Sequence, residues 1–123
     1  MRLGECFYSA GIYLMDKCLF NMEQRKTMRL VHGNPTLKKP PFIKYGHAWI
    51  ELNEDTVFDT EHRREVPKDL YYAVGNIDPE ECFVYTYEEM AKQVKEHEHW
   101  GPWELEEFPE ETAYREAWCA SNI

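Results

Sequence analysis

The sequence lacks the long apolar runs, clustered glycines and paired cysteines that mark several large classes of protein. Its longest uninterrupted apolar stretch covers residues 10–15, far short of the roughly 20 residues that span a bilayer. The six glycines are scattered, so there is no glycine-rich phosphate loop. The four cysteines form no Cys-x-x-Cys pair, which argues against zinc ribbons and thioredoxin-type redox sites. We expect no membrane span and no metal.

An excess of basic residues is also lacking. Lys and Arg number 14 against 23 Asp and Glu, a net charge of −9, and most of the acidic residues follow position 53. This charge argues against nucleic-acid binding, which relies on neutralising phosphates, and predicts a solvated acidic surface. No signal peptide precedes the first cysteine, so we predict a cytoplasmic protein with free thiols.

The residues that are present suffice for one folded unit. With 123 residues, 43% hydrophobic and 15% aromatic, the chain is predicted to form a single domain over residues 1–123. Periodicity predicts helices over residues 6–20, 67–74 and 87–98, another beginning at Pro109, and strands over 27–32, 46–52, 56–60 and 82–86. This order predicts an α+β domain in which an N-terminal helix packs on a small antiparallel sheet.

The hairpin formed by residues 46–52 and 56–60 allows its register to be predicted. A loop of three residues at 53–55 places Ile50 opposite Phe58. The apolar face then carries Ala48, Ile50, Leu52 and Phe58. The opposite, polar face carries His47, Trp49, Glu51, Val57 and Asp59. His47 and Asp59 are therefore expected to be diagonal neighbours, about 7–8 Å apart at the backbone, within reach of each other's side chains.

A nucleophile for this His–Asp pair is expected at Cys6, in the first turn of the first helix. The helix dipole there lowers the pKa of a thiol, as does a neighbouring imidazolium. Cys, His and Asp in that order fit the cysteine variant of the catalytic triad. The alternatives are that Cys6 is a small core hydrophobe, that Glu61 replaces Asp59 in orienting His47, and that Trp49 walls the site or simply packs.

A cysteine that opens an N-terminal helix, a Gly-His-Ala-Trp-Ile-Glu strand and a following Val-Phe-Asp resemble the transglutaminase-like branch of the papain-like cysteine enzymes. The resemblance covers residues 6–59. It implies that Cys6 is the nucleophile, His47 the general base and acid, and Asp59 the orienting carboxylate. It also implies acyl transfer on an amide bond of a peptide or protein, as in a peptidase, amidase, deamidase or transglutaminase, without a cofactor.

The resemblance leaves the oxyanion donor open, and Tyr8, Asn34 and Tyr45 are the candidates. It also implies a substrate groove built from the loop at residues 33–45 and the C-terminal tail. His32, at the end of a predicted strand, is expected to have a structural role. His97 and His99 are not expected to bind a metal ion, because an i, i+2 pair on a helix points to different faces.

An alternative from another class keeps this fold without the chemistry. The chain would then be an inhibitor or adaptor that binds a protein partner through its acidic, aromatic C-terminal tail. The aromatic residues expected to form that contact surface are Trp100, Trp103, Phe108, Tyr114 and Trp118.

Overall fold

A computed structural model describes residues 5–106 and 108–121, except for the side chains at 115 and 118–121. The helices are α1 (Glu5–Cys18), α2 (Met22–Thr27), α3 (Lys68–Gly75), α4 (Tyr87–His97) and α5 (Pro109–Ser121). The strands are β1 (Arg29–Gly33), β2 (His47–Glu51), β3 (Thr56–Asp59), β4 (Arg64–Pro67) and β5 (Phe83–Tyr85). The predicted α+β class, with an N-terminal helix and an antiparallel sheet, is confirmed.

The strands form a five-stranded sheet in the order β4-β3-β2-β1-β5, and each neighbouring pair is antiparallel. The hairpin has the predicted register, because Ile50 lies opposite Phe58 and the amide of Leu52 donates to the carbonyl of Thr56 at 2.9 Å. The strand that carries His47 is therefore held between β1 and β3.

Helix α1 packs on the predicted apolar face of the hairpin. Its buried residues include Phe7, Ala10 and Leu14, which join Ala48 and Ile50 in one core cluster. These positions recur at helical spacing along α1 and bury one stripe of it against the sheet. The N-terminal end of α1 is thereby brought to the beginning of β2.

The opposite face of the hairpin, which carries His47, Trp49 and Glu51 as predicted, is buried. Every residue of β2 is buried, because α3 covers this face and packs Tyr72 against Trp49 and Val57. The Tyr72 hydroxyl donates to Glu51 Oε2 at 2.6 Å, and Lys68 Nζ lies 3.2 Å from Glu51 Oε1. Glu51 on this face is therefore buried with partners supplied by α3.

Several element boundaries differ from the predicted ones. The strand expected over residues 27–32 begins at Arg29, because α2 continues to Thr27 and Asn21 caps it by accepting from the Gln24 amide at 3.1 Å. Strand β4 was not predicted, and Pro67 ends that strand instead of standing in the first turn of α3. The capping box that predicts α4 is present, with Thr86 and Glu89 exchanging hydrogen bonds.

Aromatic residues that follow α4 pack back on the core. The Trp100 ring lies on α1 at Gly11, where a Cβ atom would stand 2.6 Å from its Cε3. Trp103 lies beside His32, with ring centroids 5.1 Å apart. His32 is wholly buried, and Phe7 and Tyr85 also contact its ring. This packing fixes the C-terminal segment against α1 and the sheet.

Candidate active site

A cavity of about 610 Å³ opens on the face of the sheet that α3 partly covers. Residues 35–40 of the loop before β2 form one wall, α3 forms another, and the turn between β3 and β4 forms a third. The loop is ordered by an antiparallel bridge between Thr36 and Lys44 and by the Thr36 amide, which donates to the Gly75 carbonyl at 2.9 Å. Tyr114 of α5 also lines the cavity. The predicted loop and Tyr114 of the C-terminal tail therefore line one cavity, with α3 as an additional wall, and its use as a substrate groove stays a prediction.

His47 lies at the inner end of this cavity, at the beginning of β2. The residue is 3% exposed, and its Nδ1 atom has no hydrogen-bond partner among the described residues. Burial lowers the pKa of His47 to about 4, against the opposing effect of the Asp59 carboxylate. At neutral pH His47 is therefore an uncharged imidazole that is able to accept a proton.

Asp59, at the end of β3, is the carboxylate that acts on His47, but it is hydrogen-bonded to a different histidine. Its Oδ2 atom lies 2.8 Å from Nδ1 of His62, and its Oδ1 atom accepts from the Glu61 amide at 3.0 Å. Burial raises the pKa of Asp59, but the His62 hydrogen bond and the other neighbours outweigh it, and the net pKa is lowered. Asp59 is therefore a fixed anion at neutral pH.

Glu61, the alternative orienting residue, lies in the same group. One ligand atom each from His47, Asp59 and Glu61 can be chosen so that all lie within 4.8 Å of one another. Among the His, Cys, Asp and Glu residues that the structure describes, these three form the group that is close enough together to hold a metal ion. The predicted proximity of His47 to both carboxylates is present, and the choice of orienting residue between them stays a prediction.

Cys6 stands in the first turn of α1 as predicted, but its environment differs from the expected one. The side chain is 3% exposed. Burial raises the pKa of the Cys6 thiol to about 12, although hydrogen bonding from the Ala48 backbone lowers it. The expectation that the helix dipole yields a thiolate is therefore wrong, because desolvation of the charged sulfur outweighs the dipole. The interaction with Ala48 places the sulfur beside the residue that follows His47.

Two tyrosines, Tyr45 and Tyr71, line the cavity. Burial is the largest cause that raises the pKa of each hydroxyl, and the Asp59 and Glu61 carboxylates raise it further. The ring of Tyr45 lies 5.7 Å from the His47 ring, measured between centroids. Of the three predicted oxyanion donors, Tyr45 is the one the structure brings to this cavity.

The other two predicted donors lie elsewhere. Tyr8 is 57% exposed and packs edge-on against Trp100. The Asn34 Oδ1 atom is buried without a partner in the described residues, and Asn34 does not line the cavity. Trp49, the predicted wall residue, is wholly buried between His47 and Tyr72 and contributes packing behind the cavity.

The beginning of β2 is also tied to the last helix. Glu111 of α5 is 2% exposed, and its Oε2 atom accepts from the Gly46 amide at 2.8 Å. Gly46 directly precedes His47, so this bond fixes the backbone at the site. Nothing in the sequence indicates that Glu111, one of several neighbouring glutamates, is the buried one.

Part of the aromatic tail packs against the core. Trp100 and Trp103 are half-buried against the main core cluster, Phe108 and Tyr114 are half-buried, and the Trp118 side chain lies outside the described residues. His97 ends α4, and His99 Nδ1 accepts from the Gly101 amide at 3.1 Å. The proposed contact surface is thus partly covered at Trp100 and Trp103, and a protein partner stays a prediction.

Comparison with known proteins gives no relative: the chain matches no protein-family model, no curated protein and no solved structure. None of the helices in the described residues is long and apolar enough to cross a membrane. Location in the cytoplasm stays a prediction. Cys6, Cys18 and Cys82 are free thiols, as expected, while the Cys119 side chain lies outside the described residues.

Two residues that the sequence does not single out, His62 and Tyr71, belong to this site. The spacing of Asp59 and His62, an i, i+3 pair directly after a strand, is a signal that can be found in the sequence, because such an aspartate often bonds the following turn. For Tyr71 no such signal exists, since its orientation depends on how α3 docks on the sheet.

Proposed function

We propose that this protein is a cysteine-dependent acyl-transfer enzyme that acts on an amide bond, with Cys6 as nucleophile, His47 as general base and acid, and Asp59 as the anion that supports His47. The observation that carries the proposal is that a buried, uncharged His47 faces a cavity beside Asp59 while the Cys6 sulfur lies at the Ala48 backbone, one residue along the same strand. The resemblance to papain-like enzymes adds support, and we propose the same type of core.

The uncharged state of both groups determines how the reaction begins. Since the thiol pKa is raised to about 12 and that of His47 is lowered to about 4, Cys6 starts as a thiol and His47 as a free base. His47 takes the thiol proton as the sulfur bonds to the acyl carbon, and the carbonyl electron pair moves to the oxygen. The negative charge of Asp59 stabilises the imidazolium that forms.

The tetrahedral intermediate then collapses to an acyl-enzyme. The C–N bond breaks, and His47 returns its proton to the departing amine. The Tyr45 and Tyr71 hydroxyls, which line the cavity, supply O–H donors for the oxyanion. Water or a second amine next attacks the thioester with His47 again as base, which releases the acid or the new amide and restores the thiol.

Trapping of the acyl-enzyme tests the proposal directly. We expect p-nitrophenyl acetate to release nitrophenolate in a burst and to leave one acetyl group on Cys6, identified by peptide mass spectrometry. Cys6→Ser should abolish the thioester. His47→Gln should slow its formation by about a hundredfold or more, the usual size of a general-base contribution.

Cys18→Ser provides the matched control, because Cys18 is a buried thiol on the same helix and in the same core cluster. It should leave the burst unchanged. Thermal unfolding of each variant separates loss of reactivity from loss of fold. Acetylation spread over several cysteines, or a burst that persists in Cys6→Ser, would show that Cys6 is not the nucleophile.

A second candidate function is a catalytically inactive domain of the same fold that binds a protein as an inhibitor or adaptor. The observation that favours it is the burial of Cys6, which is 3% exposed and is not among the described residues that line the cavity. A folded protein in which Cys6 does not react even with a small activated ester would support this alternative.

A further inference from the structure

The outer part of the cavity combines an apolar surface with cationic side chains. Leu70 and Val74 of α3 are about half exposed, at 53% and 48%, and lie one turn apart on the wall of the cavity. Leu37, Val66 and Ile77 extend this apolar lining. Exposed apolar residues clustered in a cavity are typical of a binding site for an apolar group.

Three cations, Lys38, Lys39 and Arg64, also line the cavity. Two carboxylates, Asp59 and Glu61, line the same cavity, so the three cations outnumber them in a chain of net charge −9. None of the three forms an ion pair with the part of the chain that the structure describes, whereas Lys44 and Lys68 are paired with Glu81 and Glu51. The three cations are therefore available to an anionic ligand.

Arg64 has an obvious partner that it does not use. It lies directly opposite Asp59 in the β3–β4 pairing, yet the Asp59 carboxylate is occupied by His62 and by the Glu61 amide. The Asp59 carboxylate, which lies opposite Arg64 in the strand register, thus already has hydrogen-bond partners within the protein. An external carboxylate or phosphate can therefore bind Arg64 without displacing Asp59.

We propose that this cavity binds a peptide acyl donor that carries an apolar side chain next to a carboxylate, with the apolar group against Leu70 and Val74 and the carboxylate at Lys38, Lys39 and Arg64. A peptide fits better than an inorganic anion because the apolar wall and the cations share one cavity. The inference rests on the proposed function for the identity of the ligand as an acyl donor. The inference goes beyond the proposed function because it assigns the substrate class.

Binding can be measured without turnover in the Cys6→Ser variant. We would compare acetyl-Leu-Glu-amide with acetyl-Leu-Gln-amide, which has the same shape without the charge, by following backbone amide shifts in NMR titrations. We expect the acidic probe to bind about tenfold more tightly, since three partly exposed ion pairs each contribute modestly. The shifts should map to the loop at residues 35–40, the turn at residues 61–66 and α3. Higher salt should reduce the difference.

The matched variants change equal charge at different places. Lys38→Gln with Lys39→Gln and Arg64→Gln should remove the preference for the acidic probe. Lys26→Gln with Lys92→Gln and Lys95→Gln alters three exposed lysines outside the cavity and should preserve the preference.

Several results would overturn the assignment: no binding of either probe, equal affinity for both, tighter binding of the uncharged probe, or equal effects of the two triple variants. Shifts produced by inorganic phosphate but not by the acidic peptide would overturn it as well, and would assign the cations to phosphate. The acetylation assay uses an ester without an anion and the binding assay uses no thiol. Failure of the substrate class and failure of the cysteine chemistry are therefore separable.

Discussion

Burial determines the charge of both proposed catalytic residues. A helix N-terminus and a nearby histidine favour a thiolate, but each effect is small beside the cost of removing a charged sulfur from water. Cys6 and His47 are both 3% exposed, and both are therefore uncharged at neutral pH. Any reactivity of Cys6 has to begin with proton transfer to His47 and not with a preformed ion pair.

This arrangement predicts a flat pH profile for acylation of Cys6. His47 is unprotonated above about pH 4 and the thiol is protonated below about pH 12, so the reactive form is constant between them. We expect the initial rate with p-nitrophenyl acetate, corrected for spontaneous hydrolysis, to vary less than about twofold from about pH 5.5 to about pH 8. A rise through the ordinary histidine pKa of 6.5, or through the thiol value of about 8.5, would contradict it.

For individual residues, the sequence predicts which side chains are neighbours better than it predicts their protonation state. The pairing of His47 with Asp59 follows from alternation along the hairpin, because a shift by one residue would expose Phe58. The pKa of Cys6 could not be predicted, since it depends on how deeply α1 is buried. His62 was missed as the hydrogen-bond partner of Asp59, although an aspartate followed by a turn after a strand is a signal in the sequence.

At the scale of elements, strand β2 is sandwiched between α1 and α3. The predicted register gives it an apolar face with Ala48 and Ile50 and an opposite face with His47, Trp49 and Glu51. The structure covers that face with α3, whose Tyr72 and Lys68 satisfy Glu51. The hairpin was predictable because its register depends on the local pattern of apolar and polar residues. The position of α3 was not, because it depends on tertiary contacts between α3 and the sheet.

The Glu51–Tyr72 hydrogen bond is therefore expected to matter for stability. Tyr72→Phe removes the donor from a carboxylate that is 8% exposed, which should lower the free energy of unfolding by about 1–3 kcal/mol. Urea unfolding followed by circular dichroism measures it.

Tyr85→Phe is the matched control for Tyr72→Phe. The Tyr85 hydroxyl donates to Glu104 at 3.1 Å, and Glu104 is exposed, so water replaces the lost donor and the cost should be smaller. Equal costs for the two variants would show that burial of Glu51 does not determine the effect.

At the scale of the whole molecule, two buried histidines couple stability to pH. Burial lowers the pKa of His32 to about 3 and that of His47 to about 4, from 6.5. Below pH 6.5 the unfolded chain binds protons at these positions that the folded chain does not, so stability falls as the pH decreases toward these lowered values. Neither ring nitrogen of His32 has a hydrogen-bond partner in the described residues.

We expect the free energy of unfolding, measured with urea, to be lower at about pH 5 than at about pH 7.5. His32→Phe should reduce this difference, because Phe cannot be protonated and the site is lined by Phe7, Tyr85 and Trp103. Five histidines are present in the chain, and the exposed His97→Gln variant serves as the control that should leave the difference unchanged. An identical pH dependence in His32→Phe and the parent would exclude His32 as a source.

The hydrogen bond between Glu111 and Gly46 has a consequence for the order in which the molecule is made. Cys6 and His47 are synthesised well before Glu111, so β1, β2 and β3 can pair before the Glu111 carboxylate is available to the Gly46 amide. The contact between Gly46 and Glu111, which are 65 residues apart in the sequence, therefore forms only after α5 has been translated and has docked on the beginning of β2.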